Sequence, residues 1–228
     1  MSLIKRPRTL KMAPPGYHVV KKHLKVSGTG IKYYVKAHLR KNKGTKYILL
    51  TENILYLFWH GEHNNTRLGK VSGFPEYPEL DSVIHFWLNF WKGMGLKLPE
   101  DFDPFLIKVI IAVESSFRIK ADPQSKVSSA YGLMQITNWT RNDLKGVRRK
   151  GKMSLQNHYL DLERKDLEDP VISIAAGIRW LSYKFSSIPK KKRNLFNVIR
   201  AYNDWKKGVP YAKEVINLYT ISQSDRFQ

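Results

Sequence analysis

Residues 103–117 have the sequence DPFLIKVIIAVESSF, and this stretch decides the fold that we expect for the chain. Asp103-Pro104 places a capping carboxylate before a proline at the first helical position, which is a typical helix start. The apolar run from Phe105 to Val113 then predicts a buried helix, and Glu114 comes directly after that run. The sequence therefore predicts an ionisable carboxyl at the end of an apolar helix.

The chemistry open to Glu114 follows from that setting. Burial makes a charged carboxylate costly, so a buried Glu either finds a partner or keeps its proton to a higher pH than in water. A carboxyl of this kind is suited to glycosidic cleavage, because the leaving oxygen must be protonated by a neighbouring acid. Most Glu residues are exposed to solvent, however, so this interpretation of Glu114 depends on residues elsewhere in the chain.

Four further helices are expected in residues 79–228. Asp81 is expected to cap the first of them, and Asp169-Pro170 repeats the Asp-Pro start signal before another. The apolar residues of these segments recur at helical spacing. The expected helices contain Val83 to Trp91, Val171 to Leu181, Leu195 to Trp205, and the stretch from Pro210 to about Tyr219.

The first part of the chain carries different signals. Residues 1–16 are basic and contain proline without apolar periodicity, which predicts a flexible arm. The sequence VKKHLK at Val20–Lys25 returns fifteen residues later as VKAHLR at Val35–Arg40, with Ser27–Gly30 as turn material between them. This echo predicts a basic β-hairpin.

Two further strands are predicted at Tyr47–Leu50 and Ile54–Trp59. The stretch Gly61–Pro78 is rich in Gly, Pro and Asn and predicts a linker or a long loop. We therefore expect a domain boundary near Pro78. It would separate a basic, β-containing N-terminal region, residues 1–78, from a mostly helical catalytic domain, residues 79–228. The expected fold class is α+β.

The composition limits the partners. The chain has 228 residues, 42% of them hydrophobic, with 40 Lys and Arg against 19 Asp and Glu, and a formal net charge of +21. Such a chain can bury a core and will attract anionic partners. Nucleic acid, anionic lipid and the acidic bacterial envelope are all polyanions, so charge alone does not separate them.

Several kinds of site are not expected. The chain has no Cys, which excludes disulfides, thiolate metal sites and a Cys nucleophile. His60 and His63 flank Glu62 without forming the His-Glu-x-x-His pattern, so we expect no metal and no cofactor. The chain shows no run of residues that reads as a signal peptide or as a membrane span, which leaves the delivery route open.

Four short motifs follow one another across roughly residues 80–220. They are Glu114-Ser115-Ser116-Phe117, Gly132-Leu133-Met134-Gln135-Ile136, Ala176-Gly177 with Trp180-Leu181, and Ala201-Tyr202-Asn203. In order and spacing these motifs resemble the soluble lytic transglycosylase family, whose catalytic domain is lysozyme-like.

The resemblance implies roles for individual residues. Glu114 would be the catalytic acid and base, with Tyr202 hydrogen-bonded to its carboxyl. The remaining candidates would contact the sugar, Met134 through apolar contact and the others through polar groups. These substrate-binding candidates are Ser115, Met134, Gln135 and Asn203.

The resemblance also implies a reaction. The substrate would be the peptidoglycan glycan strand, cut between N-acetylmuramic acid and N-acetylglucosamine with a 1,6-anhydromuramyl end as product. The expected location is the bacterial periplasm or cell envelope, with an envelope protein as a further partner of the N-terminal region. Nucleic acid is not the expected partner, although Tyr17, Tyr33, Tyr34 and Tyr47 among Lys residues leave a polyanion-binding module as an alternative.

The chain departs from the family pattern at several positions. Ser173 stands where the family usually has Asn, and Asp204-Trp205 stands where Ala-Gly is usual. Ser129 stands where Gly is common, and the stretch from Phe117 to Gly132 is slightly longer than usual. These departures concern the rim of the expected cleft and leave its acid in place.

A goose-type lysozyme, which hydrolyses the same bond, is the alternative within the fold. Such enzymes carry an Asp where this chain has Thr137. Asp122 is the carboxylate that remains between Glu114 and Gln135. If Asp122 faced Glu114 across a gap wide enough for a water, inverting hydrolysis would be expected instead.

Overall fold

The computed structural model describes residues 3–7, 12–41, 48–100, 102–120, 130–147, 155 and 157–226. In these ranges the chain forms seven α-helices and eight short strands, which confirms the predicted α+β class. The helices are α1 Thr51–His60, α2 Glu79–Gly93, α3 Phe105–Ser115, α4 Asn138–Leu144, α5 Pro170–Ser187, α6 Leu195–Asn203 and α7 Val209–Arg226. The strands are β1 Tyr17–Val20, β2 His23–Val26, β3 Lys32–Val35, β4 His38–Lys41, β5 Ile48–Leu50, β6 Ala130–Tyr131, β7 Ile136–Thr137 and β8 Tyr159–Asp161.

Helix α5 lies at the centre of the core. It packs against α1, α2 and α6, and every residue from Pro170 to Ser182 is buried. Its start confirms the predicted signal, because a side-chain oxygen of Asp169 accepts a hydrogen bond from the Val171 amide at 2.9 Å. The indole of Trp91 on α2 donates to the Ala175 carbonyl at 3.0 Å and ties the two helices together.

Helix α3 also begins as predicted. Asp103 Oδ1 accepts from the Phe105 amide at 2.9 Å, and the residues from Phe105 to Ala112 are all buried. The helix ends at Ser115 because Ser116 and Phe117 adopt left-handed backbone angles, with φ of 50° and 61°. This turn leaves Glu114 in the last turn of the helix.

Asp81 does not cap α2, so that expectation was wrong. The helix begins at Glu79, and Asp81 lies within its first turn, where its side chain is buried. A buried charge must be paired, and Asp81 Oδ1 lies 2.6 Å from Nζ of Lys108 on α3. The other carboxylate oxygen accepts from the Leu68 amide at 3.1 Å.

The segment Gly61–Pro78 contains no helix or strand, as predicted for a linker, but it is packed onto the core. Leu68 and Val71 are buried, and the Lys108 ammonium donates to the Gly69 carbonyl at 2.7 Å. The ring of Tyr77 stacks on Phe117 with centroids 4.6 Å apart. The segment therefore holds both α3 and the turn that follows it.

The strand predicted at Ile54–Trp59 is a helix, α1, so that prediction was wrong. Asn53 decides the conformation, because its side-chain oxygen accepts from the Leu50 amide at 2.9 Å at the helix start. Its buried amide nitrogen donates to the Tyr17 carbonyl at 2.8 Å, and also to the carbonyls of Ala13 and Pro14. The preceding strand prediction was right for Ile48–Leu50, which pairs in parallel with β8.

The basic hairpin is confirmed and is longer than predicted. Strand β2 pairs with β3, and β1 pairs with β4, both antiparallel and in one continuous register from Tyr17 opposite Lys41 to Val26 opposite Lys32. The expected turn lies between β2 and β3, where the Gly30 amide donates to the Ser27 carbonyl at 2.9 Å.

The described parts of the predicted flexible arm are anchored to the rest of the chain. Ala13 is buried, and its amide donates to the Glu52 carbonyl at 3.1 Å. The Leu3 amide donates to a carboxylate oxygen of Glu79 at 3.0 Å. One hydrophobic core also continues across Pro78, from Leu49 and α1 to the later helices. A division at Pro78 stays a prediction. Among the described helices, none is long and apolar enough to cross a membrane.

Candidate active site

Glu114 occupies the last turn of α3, where its side chain is partly exposed at the edge of the core. Burial of the carboxyl is the main reason that its pKa rises from 4.5 to about 7. The negative charge of Glu214 on α7 raises this pKa further, whereas the hydroxyl of Tyr211 lowers it. The predicted setting, an ionisable carboxyl at the end of an apolar helix, is thus present.

Tyr211 is the phenol beside the carboxyl of Glu114. It lies at the start of α7, and its buried hydroxyl makes no hydrogen bond of standard geometry with any other described residue. The same hydroxyl is close enough to Glu114 to act on the carboxyl as a hydrogen-bond partner. Burial and the charge of Glu114 both raise the pKa of Tyr211. The hydroxyl therefore stays protonated and can donate a hydrogen bond to a carboxylate.

Tyr202 lies near Glu114 but makes a different hydrogen bond from the expected one. Its hydroxyl donates to the backbone carbonyl of Met134 at 2.7 Å, and this single donor is then not available to the carboxyl of Glu114. Burial raises the pKa of Tyr202, and the negative charge of Glu114 adds to the effect. Tyr202 therefore fixes the turn that contains Met134.

That turn joins β6 to β7 and consists of residues 132–135. Gly132 has a φ of 70°, and a Cβ there would collide with the carbonyl oxygen of Leu167 and the hydroxyl of Ser173. Gln135 also has a left-handed φ, 44°, and its side-chain nitrogen donates to the Gly132 carbonyl at 2.9 Å. Local geometry therefore requires Gly at 132, and Gln135 closes the turn on itself.

Met134 is completely buried and packs against Gly177 of α5, where a side chain would overlap it. Its amide donates to Oγ of Ser173 at 3.1 Å. The hydroxyl of Ser173, at the position where Asn is usual, thus satisfies the backbone of this turn. The apolar sugar contact expected of Met134 is not offered by its side chain in this structure.

The two remaining candidates are placed differently. Ser115 is buried and its hydroxyl donates to the Ile111 carbonyl one turn earlier at 3.0 Å, so it faces the core and differs from the expected sugar contact. Asn203 is exposed at the end of α6. After it, Asp204 Oδ1 accepts from the amides of Lys206 and Lys207 at 2.7 and 2.9 Å and shapes the turn towards α7.

The sequence model of a family described as "Transglycosylase SLT domain" matches residues 97–210, half of the chain. The chain belongs to this family. The SLT domain is lysozyme-like with an α+β fold, in agreement with the helices around Glu114. Comparisons with curated proteins and with solved structures found no match.

The SLT match begins just before α3 and ends at Pro210. It contains all six site residues predicted from the sequence, and it excludes the N-terminal hairpin. It also stops one residue before Tyr211. Sequence reasoning missed both Tyr211 and Glu214 as neighbours of Glu114. The available signal was Pro210 in the first turn of α7, followed by Tyr211 and Glu214 at a spacing that puts both on one helix face.

Of the two residues that bear on the goose-type alternative, the structure describes Thr137 but not Asp122. Thr137, at the position of the goose-type Asp, caps α4 by accepting from the Thr140 amide at 3.1 Å. Asp122 and Ser129 lie outside the described residues, as does Tyr47. No group of three or more His, Asp or Glu side chains suited to a metal ion occurs in the described ranges.

Proposed function

We propose that this SLT protein is a peptidoglycan lytic transglycosylase that cleaves the β-1,4 bond between N-acetylmuramic acid and N-acetylglucosamine. The product would carry a 1,6-anhydromuramyl end, and Glu114 would act as both acid and base. One observation carries the proposal, namely that Glu114 is a partly exposed residue whose carboxyl has a pKa raised by burial to about 7. Such a group exchanges protons in both directions near neutral pH.

In the first step, protonated Glu114 gives its proton to the glycosidic oxygen while the bond from that oxygen to C1 of the muramyl residue breaks. The N-acetylglucosamine leaves as an alcohol, and positive charge develops on the muramyl ring. In the second step, the muramyl 6-oxygen forms a bond to C1 and its proton passes to the Glu114 carboxylate. No water is consumed, and Glu114 returns to its starting state.

A single carboxyl is sufficient for this reaction because the nucleophile is part of the substrate. The 6-hydroxyl is held near C1 by the sugar ring itself, which replaces a second enzyme carboxylate and a positioned water. Between the two steps Glu114 carries a negative charge. The hydroxyl of Tyr211, which lowers the pKa of Glu114, supports the charged form at that moment.

The other candidate site residues would position the turn between β6 and β7 or bind the sugar. Tyr202 would hold the turn at residues 132–135 through the Met134 carbonyl. Gln135 and Asn203, which are at least partly exposed, would provide polar contacts to sugar. Met134 and Ser115 would act through packing, since both side chains are buried.

The net charge of +21 supports a polyanionic substrate such as the acidic peptides and polymers of the bacterial envelope. Attraction of this type raises the rate of encounter more than it specifies the bond that is cut. We therefore propose the periplasm or cell envelope as the place of action.

The test is a digest of purified sacculi in water enriched in 18O, followed by mass spectrometry of the released muropeptides. Transglycosylation predicts products one water lighter than hydrolytic ones, with no 18O at the new muramyl end. Incorporation of one 18O for each cut would show a hydrolase, as in the goose-type alternative, and would refute the proposed reaction. Intact sacculi, with an active lysozyme control, would refute the enzyme assignment.

A further inference from the structure

Exposed apolar side chains are concentrated in the hairpin formed by Tyr17–Lys41. Of the eleven large apolar residues that are exposed in the described ranges, seven lie in this hairpin and the other four are distributed over the rest of the chain. A cluster of this kind on a folded protein usually marks a binding surface. The seven are Tyr17, Leu24, Val26, Ile31, Tyr33, Tyr34 and Leu39.

The charge of the same hairpin has one sign. Between Tyr17 and Lys41 the sequence contains six Lys and one Arg, and neither Asp nor Glu. The Lys22 ammonium lies 4.8 Å from the centre of the Tyr34 ring, so cations and apolar groups are interleaved. The surface therefore favours a partner that is anionic and also accepts apolar side chains.

The base of the hairpin is held by the rest of the protein. The Val19 amide donates to a Glu52 carboxylate oxygen at 3.3 Å, and Asn53 donates to the Tyr17 carbonyl at 2.8 Å. The outer part, residues 21–34, which we call the hairpin tip, is exposed at every position except Ser27. The tip therefore projects from a fixed base.

Apolar side chains occupy both faces of the hairpin tip. Leu24 and Tyr34 are opposite each other in the ladder and share one face, whereas Lys25 and Tyr33, the next pair, share the other. Ile31 follows the turn and is 65% exposed. A groove on a protein partner would cover one face and leave the other in water, but the interfacial region of a lipid bilayer surrounds an inserted hairpin.

We propose that the hairpin tip binds the surface of an anionic phospholipid bilayer. Leu24, Val26 and Ile31 enter the boundary between headgroups and acyl chains, while the Lys ammonium groups contact lipid phosphates. Tyr is common at this depth because its ring is apolar and its hydroxyl is polar. Nucleic acid explains the Lys and Tyr residues but gives no reason to expose three aliphatic side chains, which do not pair with bases.

The surface lies outside the region matched to the SLT domain, so this binding stands independently of the proposed catalytic activity. The test uses the full chain and cosedimentation with vesicles of phosphatidylcholine, with and without phosphatidylglycerol. We expect binding to the anionic vesicles only, weakened at high salt because the electrostatic attraction is screened. No binding to anionic vesicles, or equal binding to both kinds, would overturn the proposal.

Two sets of substitutions separate the apolar from the ionic contribution. Thr keeps the β-propensity of the strands while removing apolar surface, and Gln removes charge. We expect each set to weaken vesicle binding by about tenfold or more. The apolar set is Leu24→Thr, Val26→Thr and Ile31→Thr, and the ionic set is Lys22→Gln, Lys25→Gln and Lys32→Gln.

Matched controls make the same chemical changes elsewhere on the surface. They are Val147→Thr with Ile221→Thr for exposed apolar residues, and Lys190→Gln, Lys191→Gln and Lys192→Gln for exposed cations. Both control sets should bind vesicles like the unchanged chain. If the apolar set binds as well as the control, the proposal fails. If duplex DNA competes for the tip and the apolar set binds DNA and vesicles normally, the surface is a nucleic-acid site.

A second measurement reports insertion directly and does not depend on the affinity of a variant. Since the chain has no Cys, Val26→Cys offers one thiol for a polarity-sensitive fluorophore, and Ile221→Cys is the matched control. We expect the emission of the label at residue 26 to shift to the blue on addition of anionic vesicles, and the control to stay unchanged. An unchanged spectrum at residue 26, with vesicles bound, would contradict insertion of the tip.

Discussion

The proposed role of Glu114 sets two requirements, since the carboxyl must lie away from water enough to keep a proton and must still reach a substrate. Its partial exposure and its pKa of about 7 satisfy both. Two residues of α7 act on the carboxyl in opposite directions, because the charge of Glu214 raises its pKa and the hydroxyl of Tyr211 lowers it. The proton affinity of the site is therefore set by α7 as well as by α3.

The raised pKa has a consequence for stability. Folding raises the pKa of Glu114 from 4.5 to about 7, so stability from this residue is fully present below pH 4.5 and is lost as the pH rises through 7. The loss is up to about 3 kcal/mol. Gln carries no charge, and we expect Glu114→Gln to be more stable than the unchanged chain at pH 8 and similar at pH 4. Urea unfolding at both values measures this, and equal stability at pH 8 would mean that the carboxyl is well solvated.

The two residues of α7 should shift the pH dependence of cleavage in opposite directions. In the proposed reaction, activity is expected to fall at alkaline pH as Glu114 loses the proton that it would donate. Tyr211→Phe removes a group that lowers the pKa of Glu114, so this alkaline limb should move to higher pH. Glu214→Gln removes a charge that raises the same pKa, so the limb should move to lower pH.

The measurement is kcat/KM against pH for both variants and the unchanged chain. Glu214 is exposed, so its effect should also decrease at high salt, which provides an internal control. Limbs that moved in the same direction, or not at all, would refute the assignment of these two neighbours.

Sequence reasoning singled out Glu114 but not Tyr211 and Glu214, the two residues of α7 that act on its carboxyl, for a physical reason. The buried setting of Glu114 can be predicted from local sequence, because an apolar run directly precedes it. Tyr211 is brought to the carboxyl by the packing of α7 on α3, a contact across about a hundred residues that no local pattern records. The sequence also does not record the direction of the Ser115 hydroxyl, which donates to the Ile111 carbonyl one turn earlier in α3.

At the level of elements, the turn between β6 and β7 depends on one glycine. Gly132→Ala forces a left-handed backbone and also a collision with the Leu167 carbonyl oxygen. We expect it to lower the free energy of unfolding by at least about 2 kcal/mol and to reduce activity, since Met134 moves with the turn. Gly73 is the matched control, because its φ is 81° with open space around a Cβ. An equal cost for Gly73→Ala in urea unfolding would show that the collision contributes nothing.

Elements with strong local signals were predicted well, and those decided by distant contacts were not. The Asp-Pro pairs at the starts of α3 and α5 fix both helices through bonds within a few residues. The run Ile54–Trp59 is short and apolar, and such a run suits a strand or a helix equally. The outcome there depends on the bonds of Asn53 to carbonyls some forty residues earlier, including that of Ala13.

At the level of the whole molecule, the segment Gly61–Pro78 contributes to the position of α3, the helix that contains Glu114. Lys108 on α3 is buried and bonded to Asp81 and to the Gly69 carbonyl. Phe117, just after α3, packs on Tyr77. The family and the helical fold were predictable from the order of the motifs. The packing of Gly61–Pro78 on α3 was not, because a Gly- and Pro-rich stretch has the same composition whether or not it contacts the core. The N-terminal boundary of the catalytic unit stays a prediction.

The buried pair of Asp81 and Lys108 gives a test of this packing. Lys108→Met leaves the Asp81 carboxylate buried without its cation, and we expect a loss of about 3–5 kcal/mol in the free energy of unfolding. Adding Asp81→Asn removes the unpaired charge and keeps an acceptor for the Leu68 amide, so part of the loss should be recovered. Urea unfolding of both single variants and the double variant measures the coupling. A double variant no more stable than Lys108→Met would count against a buried ion pair.

The most direct test of the central claim is the rate at which 1,6-anhydro muropeptides are released from sacculi by the unchanged chain and by Glu114→Gln, compared at equal folded concentration. Gln keeps the shape of the side chain but cannot donate a proton, so we predict a loss of about 10²–10⁴-fold or more. Release by Glu114→Gln at a rate close to that of the unchanged chain would contradict the claim that Glu114 transfers the proton.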